Sequence, residues 1–154
     1  MRRVLLTGAA GFLGSHALRH ILTKTDWTVV CPITLRHHGM PERIATQLED
    51  LPDEVRVGGR VQLVRWDMTA PADILTMALI GEVDYLINYA SESHVDRSIE
   101  TPAPFIRDNV AIVTNVLELA RILKPRHFIQ ISTDEVYGPA PAGHNHREWE
   151  VALP

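Results

Sequence analysis

The run Thr7-Gly8-Ala9-Ala10-Gly11-Phe12-Leu13-Gly14 constrains the fold more than any other part of the chain, because its glycines recur at i, i+3 and i+6. It follows the apolar run Val4-Leu5-Leu6. It opens a stretch with helical spacing over 12–23, carried by Leu13, Ala17, Leu18, Ile21 and Leu22. A strand, a glycine turn and a helix in that order make a cradle for a dinucleotide pyrophosphate. Gly8 permits the tight turn, Gly11 lets the backbone approach a phosphate, and Gly14 lets the helix pack close to the sheet. The helix start then offers free N–H groups and the positive end of its dipole.

The rest of the chain alternates in the same way. Apolar runs over 27–33, 61–66, 83–89 and 126–131 read as strands. Helical patterns lie over 41–51, over 71–80 (closed by Gly81) and over 104–123, stopped before Pro125. Alternating strands and helices predict an α/β fold: a Rossmann-like, doubly wound parallel sheet of five or more strands with helices on both faces. That domain is expected over 1–138. Residues 139–154, rich in proline, glycine and histidine, read as a loop.

A chain of 154 residues suits one domain with a real core. A net charge of −4 and no long basic run point away from nucleic acid and membrane surfaces as partners. No apolar run is long enough to span a bilayer. Cys31 is the one cysteine, which excludes an internal disulfide and fits a reducing, cytoplasmic setting. It reads as a small buried residue at a strand end. No metal is expected: His37-His38 stand on a loop, and His94, His144 and His146 lack a matching set of ligands at coordinating spacing.

Three further stretches carry chemistry. After the second strand, where an acid would hold a ribose 2′-OH, the sequence reads Val29-Val30-Cys31-Pro32-Ile33-Thr34-Leu35-Arg36, with no acid. Arg36, or Arg43 beyond it, could accept a 2′-phosphate and favour NADP; Arg36 could equally be a solvated loop charge. Asp67, after the third strand, could bond an adenine or cap the next helix. The strip Tyr89-Ala90-Ser91-Glu92-Ser93-His94-Val95-Asp96-Arg97-Ser98 follows the fourth strand. Its small residues would let a dinucleotide lie across the sheet edge, and Ser93 and His94 could reach a ligand. Asp96 and Arg97 read as a structural ion pair. The fifth strand leads into Ser132-Thr133-Asp134-Glu135-Val136-Tyr137-Gly138. A hydroxyl and two carboxylates thus stand at the carboxyl edge of the sheet, where ligands bind in such folds. They can donate a proton, take one, or hold an oxygen.

These stretches, with Asn109-Val110, resemble the extended short-chain dehydrogenase/reductases. Among them the chain is most similar to the NAD-dependent epimerase/dehydratases of the dTDP-glucose 4,6-dehydratase type. The resemblance covers nearly all of the chain but only the first half of such an enzyme. It implies a reaction on a nucleotide-linked hexose such as dTDP-glucose: oxidation at C4 by hydride transfer to NAD, loss of water across C5 and C6, and return of hydride to C6. By position it implies that Thr133 bonds the sugar O4, Asp134 is the acid at the C6 hydroxyl, and Glu135 is the base at C5. Two carboxyls in different roles need different proton affinities, which burial could supply. The family's cofactor-lining positions fall on Phe12, Leu13, Asp67, Met68, Tyr89, Ala90, Ser91 and Ser93. Asn109 falls on the helix position that supports the site. The family's ribose-binding acid falls on Ile33, which leaves NADP open beside NAD. The family's Tyr-x-x-x-Lys is absent: Tyr137 has no lysine four residues on. The expectation is a cofactor-binding part that does not turn over alone. The alternatives are a non-catalytic nucleotide-binding module and an NADP-dependent GDP-mannose dehydratase or epimerase relative. The resemblance also implies a homodimer through the 104–123 helix, whose Ile106, Val110, Val113 and Leu117 would be exposed in a lone chain.

Overall fold

The computed structural model describes residues 1–34, 40–56 and 58–151. Five parallel strands form one sheet: β1 (Arg3–Thr7), β2 (Thr28–Ile33), β3 (Val61–Arg65), β4 (Tyr85–Asn88) and β5 (His127–Gln130), in the order β3-β2-β1-β4-β5. The helices are α1 (Phe12–Lys24), α2 (Pro41–Leu48), α3 (Asp53–Arg56), α4 (Ile74–Ile80), α5 (Val95–Glu100) and α6 (Pro102–Leu123).

The alternation of side chains along a strand explains why the sheet is covered on both faces. Val4, Leu6, Val29 and Cys31 point to one face and join Leu18, Ile21 and Leu22 of α1 and Ile44 of α2 in one core. Leu5, Val30, Val64 and Leu86 point to the other and join Ile80 of α4 and Ile112, Val116 and Leu119 of α6. β1 is buried on both faces, as the central strand of a parallel sheet must be. Cys31 is fully buried in the first core, and that burial pushes its thiol up to about 12.

Several elements differ from the expected ones. The helix expected over 41–51 ends at Leu48, with a separate α3 after it, and α6 begins at Pro102 rather than at 104. α4 begins at Ile74 rather than Pro71, because the Asp73 carboxylate accepts the Thr76 N–H at 2.7 Å and caps the helix there. Residues 95–98, expected as part of a polar strip, fall in α5 (Val95–Glu100). Asp134–Tyr137 forms a single 3-10 turn after β5. Among the described residues no helix is long and apolar enough to cross a membrane.

Candidate functional site

The chain runs β1, β2, β3 to one edge of the sheet and then returns to place β4 on the far side of β1. The loops after β1 and β4 therefore diverge and leave a crevice at the carboxyl edge. A cavity of about 380 Å³ lies there. The glycine turn lines it through Gly8, Ala10, Gly11 and Phe12, and the loop after β4 through residues 89–94. The end of β2 contributes Pro32, Ile33 and Thr34, α2 contributes Arg43, and Met68 and Ile112 complete the wall.

The glycine turn has little tolerance for side chains. Gly8 has φ +68°, and a Cβ there would stand 2.8 Å from the carbonyl carbon of Tyr89. A Cβ on Gly14 would stand 2.2 Å from the Gly8 carbonyl oxygen. The helix start thus packs directly on its own preceding turn. No side chain caps α1, and its first turn holds no acid. Its leading N–H groups are left for an anion.

The crevice is held open by a polar line that the sequence reading missed. Thr7 and Asn88 are fully buried in the sheet. The Thr7 hydroxyl donates to Asn88 Oδ1, and the Ala90 N–H donates to Thr7 Oγ1 at 3.2 Å. Asn88 Nδ2 donates to Gln130 Oε1 at 2.8 Å. These bonds join the ends of β1, β4 and β5 beneath the cavity. An asparagine inside an apolar strand was the available signal.

Asn109, on α6, fixes the loop above. Its Oδ1 accepts the Glu92 N–H at 2.7 Å, and its Nδ2 donates to the Glu92 carbonyl at 2.9 Å. Asn115, one and a half turns on, donates to the Met68 carbonyl at 3.0 Å. Neither asparagine lines the cavity; each holds a backbone segment that does.

The remaining expected residues fall in different places. Tyr89, Ala90, Ser91, Ser93, His94 and Met68 line the cavity with Gly8, Gly11 and Phe12. Leu13 and Gly14 lie behind the turn; Leu13 is exposed. Asp67 is not on the wall. Its Oδ1 accepts the Thr69 N–H at 3.1 Å and the Thr69 hydroxyl at 2.8 Å, closing its own turn. The cap of the next helix is Asp73, not Asp67. Arg36, His37 and His38 lie outside the described residues, as does the side chain of Arg97.

Thr133, Asp134 and Glu135 follow β5, the strand next to β4, since Asn88 pairs with Gln130 and the Ile131 N–H donates to the Asn88 carbonyl. Thr133 caps the 3-10 turn by accepting the Glu135 N–H. Its hydroxyl donates to Asp134 Oδ1 at 3.1 Å. All three residues are exposed. The burial expected to distinguish the two carboxyls is not supplied by this chain. His144 and His146, expected to lack a matching set, have Glu150 beside them: its Oε2 lies 3.2 Å from His144 Nε2 and 2.8 Å from His146 Nδ1. The signal in the sequence was a carboxylate, Glu150, four residues after His146.

The NAD dependent epimerase/dehydratase family model matches residues 4–151. The chain is 38% identical over 135 residues to the low-salt glycan biosynthesis protein Agl12 of Haloferax volcanii, covering 88% of this chain and 40% of that protein. It is 36% identical over 148 residues to the dTDP-glucose 4,6-dehydratase of Salmonella typhimurium, covering 90% and 39%. Among solved structures it is similar to DesIV, a dTDP-glucose 4,6-dehydratase from Streptomyces venezuelae with NAD bound. The TM-score is 0.75 and the identity 32%, over 92% of this chain and 42% of that one. The chain thus spans about two fifths of the length of the relatives it matches.

Proposed function

The chain belongs to the NAD dependent epimerase/dehydratase family, and on that premise we propose that it is the cofactor-binding part of a nucleotide-sugar 4,6-dehydratase. The observation that carries the reading is the juxtaposition at one sheet edge. An uncapped helix start and a glycine turn face the strip 89–94 across a cavity, and Thr133, Asp134 and Glu135 stand in the turn that follows the adjacent strand, β5. The residues present suit NAD: the free N–H groups of α1 meet its pyrophosphate, and residues 89–94 receive the rest. The chemistry NAD would supply when bound there is acceptance of hydride from C4 of the sugar and its return to C6. NAD bound to DesIV supports the same assignment here. Arg43 is the cation on the adenosine side of the wall, so NADP is the comparison to make.

The chain's own residues then have distinct roles. Ser93, His94 and Thr133 hold the hexose, with Thr133 on O4. Glu135 removes the C5 proton once C4 is a ketone, because only then is that proton acidic. Asp134 gives its proton to the departing C6 hydroxyl, which leaves as water. The nucleotide-linked hexose is dTDP-glucose in the relatives' names and the proposed substrate class here. Alone, the chain binds and does not turn over, because no Tyr-x-x-x-Lys stands in its sequence. Ile106, Val110, Val113 and Leu117 are exposed along α6, which supports a homodimer through that helix.

Titration calorimetry with NAD and NADP tests the binding claim, and absence of binding to either would refute it. A chimera continuing this chain with the remaining length of the Salmonella relative tests the chemistry on dTDP-glucose. The expected product is the 4-keto-6-deoxy sugar, with Glu135→Gln stopping at the 4-keto hexose. A chimera that yields only the C4 epimer overturns the dehydratase reading.

A further inference from the structure

Residues 139–151 contain no helix or strand, yet two turns fold them into a defined shape. The His144 N–H donates to the Pro141 carbonyl and the Glu150 N–H to the Arg147 carbonyl, each at 3.0 Å. These turns bring His144, His146 and Glu150 together. The His146 ring stacks on Tyr137 at 5.2 Å and meets the His144 ring edge-on at 5.3 Å. Its Nε2 is buried without a hydrogen-bond partner, so the ring is packed rather than free in solvent. Arg147, the cation in the same turn, stacks on Trp149.

We propose that His144, His146 and Glu150 form a zinc-class divalent cation site that ties the 139–151 segment to the turn bearing Asp134 and Glu135. Two imidazoles and one carboxylate are a donor set that such cations favour, with the fourth position left to water. Ligand atoms about 2.0–2.2 Å from a tetrahedral ion lie roughly 3.3 Å from one another. Here two of the three separations are 3.2 Å and 2.8 Å, and all three atoms lie within 4.8 Å of one another. The site is therefore near coordination geometry before any ion enters. The link to the Asp134–Tyr137 turn is the Tyr137 ring beneath His146.

The test is zinc titration of the whole chain by calorimetry, with excess magnesium present to occupy sites made only of carboxylates. One zinc per chain is expected. His144→Ala and Glu150→Gln should each weaken binding by at least the roughly tenfold that even loss of an outer-shell partner costs. Replacing His37 and His38 by alanine should leave binding unchanged. A second readout needs no variant. In the unaltered chain, the ring-nitrogen NMR signals of His144 and His146 should shift with zinc and the other six histidines' should not. Absence of zinc binding overturns the proposal. So does binding that survives both His144→Ala and Glu150→Gln, or a shift confined to other histidines.

Discussion

The glycine turn after β1 and the Thr-Asp-Glu turn after β5 stand at the same edge of one sheet, but they are built to opposite rules. The first is defined by crowding: a single Cβ at Gly8 or Gly14 meets backbone under 3 Å away. β1 beneath it is buried on both faces. The second is open. β5 is an edge strand, its residues are mostly exposed, and Thr133, Asp134 and Glu135 face solvent. Packing therefore completes the binding end within this chain. The carboxylates are presented rather than enclosed, so the dry surroundings their proposed chemistry needs must come from whatever closes over them, the hexose included.

The largest effect should come from Gly14→Ala. The new methyl would overlap the Gly8 carbonyl, and backbone on both sides leaves no flexible side chain to yield. Loss of about 2–3 kcal/mol in urea unfolding is expected. A variant within about 0.5 kcal/mol of the parent would mean that the turn is looser than its contacts imply.

Asn109→Ala separates positioning from packing. Two hydrogen bonds to Glu92 would be lost, loosening the strip 89–94 at its middle. NAD affinity should fall by roughly tenfold, equivalent to about 1.4 kcal/mol. Unchanged affinity would show that the loop after β4 holds its own shape.

Asp73 sharpens the contrast through pH. Its carboxyl is held below its ordinary value, first by the Thr76 N–H it accepts. A carboxyl depressed in the fold contributes stability above its unfolded value, which is near 3.8, and loses it as pH falls through the folded one. Asp73→Ala should lower the melting temperature at pH 7 and converge on the parent in acid. A gap that persists at low pH would show that the cap acts through packing.

What could be read from the sequence follows from which signals are local. The strands and α1 were legible because apolar period and glycine spacing are written along the chain. The start of α4 was misplaced because Pro71 resembles a first-turn residue, whereas the competing cap, Asp73, lies two residues later. α5 was missed because Val95–Glu100 is six residues long and carries one apolar i, i+4 pair, Val95 and Ile99, too little to set a helical period. Of the site, the cradle and the strip 89–94 were legible as motifs. The Thr7–Asn88–Gln130 line and the clustering of Glu150 with His144 and His146 were not, since each depends on segments meeting in space.

The smallest expected effect is the one that most exposes the comparison to failure. Asp134→Asn and Glu135→Gln should each change folding stability by less than about 0.5 kcal/mol, as exposed substitutions away from packed features do. The Thr133 cap supports this, because it bonds the Glu135 backbone and not its side chain. The Asp134 side chain accepts the Thr133 hydroxyl at 3.1 Å, and an asparagine carbonyl can accept the same bond. A large loss of stability in either variant would mean that the carboxylates hold the turn together. Their retention at the sheet edge would then be explained by structure, and the assignment of Glu135 as base and Asp134 as acid would lose its support. Near-neutral stability combined with loss of elimination in the chimera leaves chemistry as the reason for the pair.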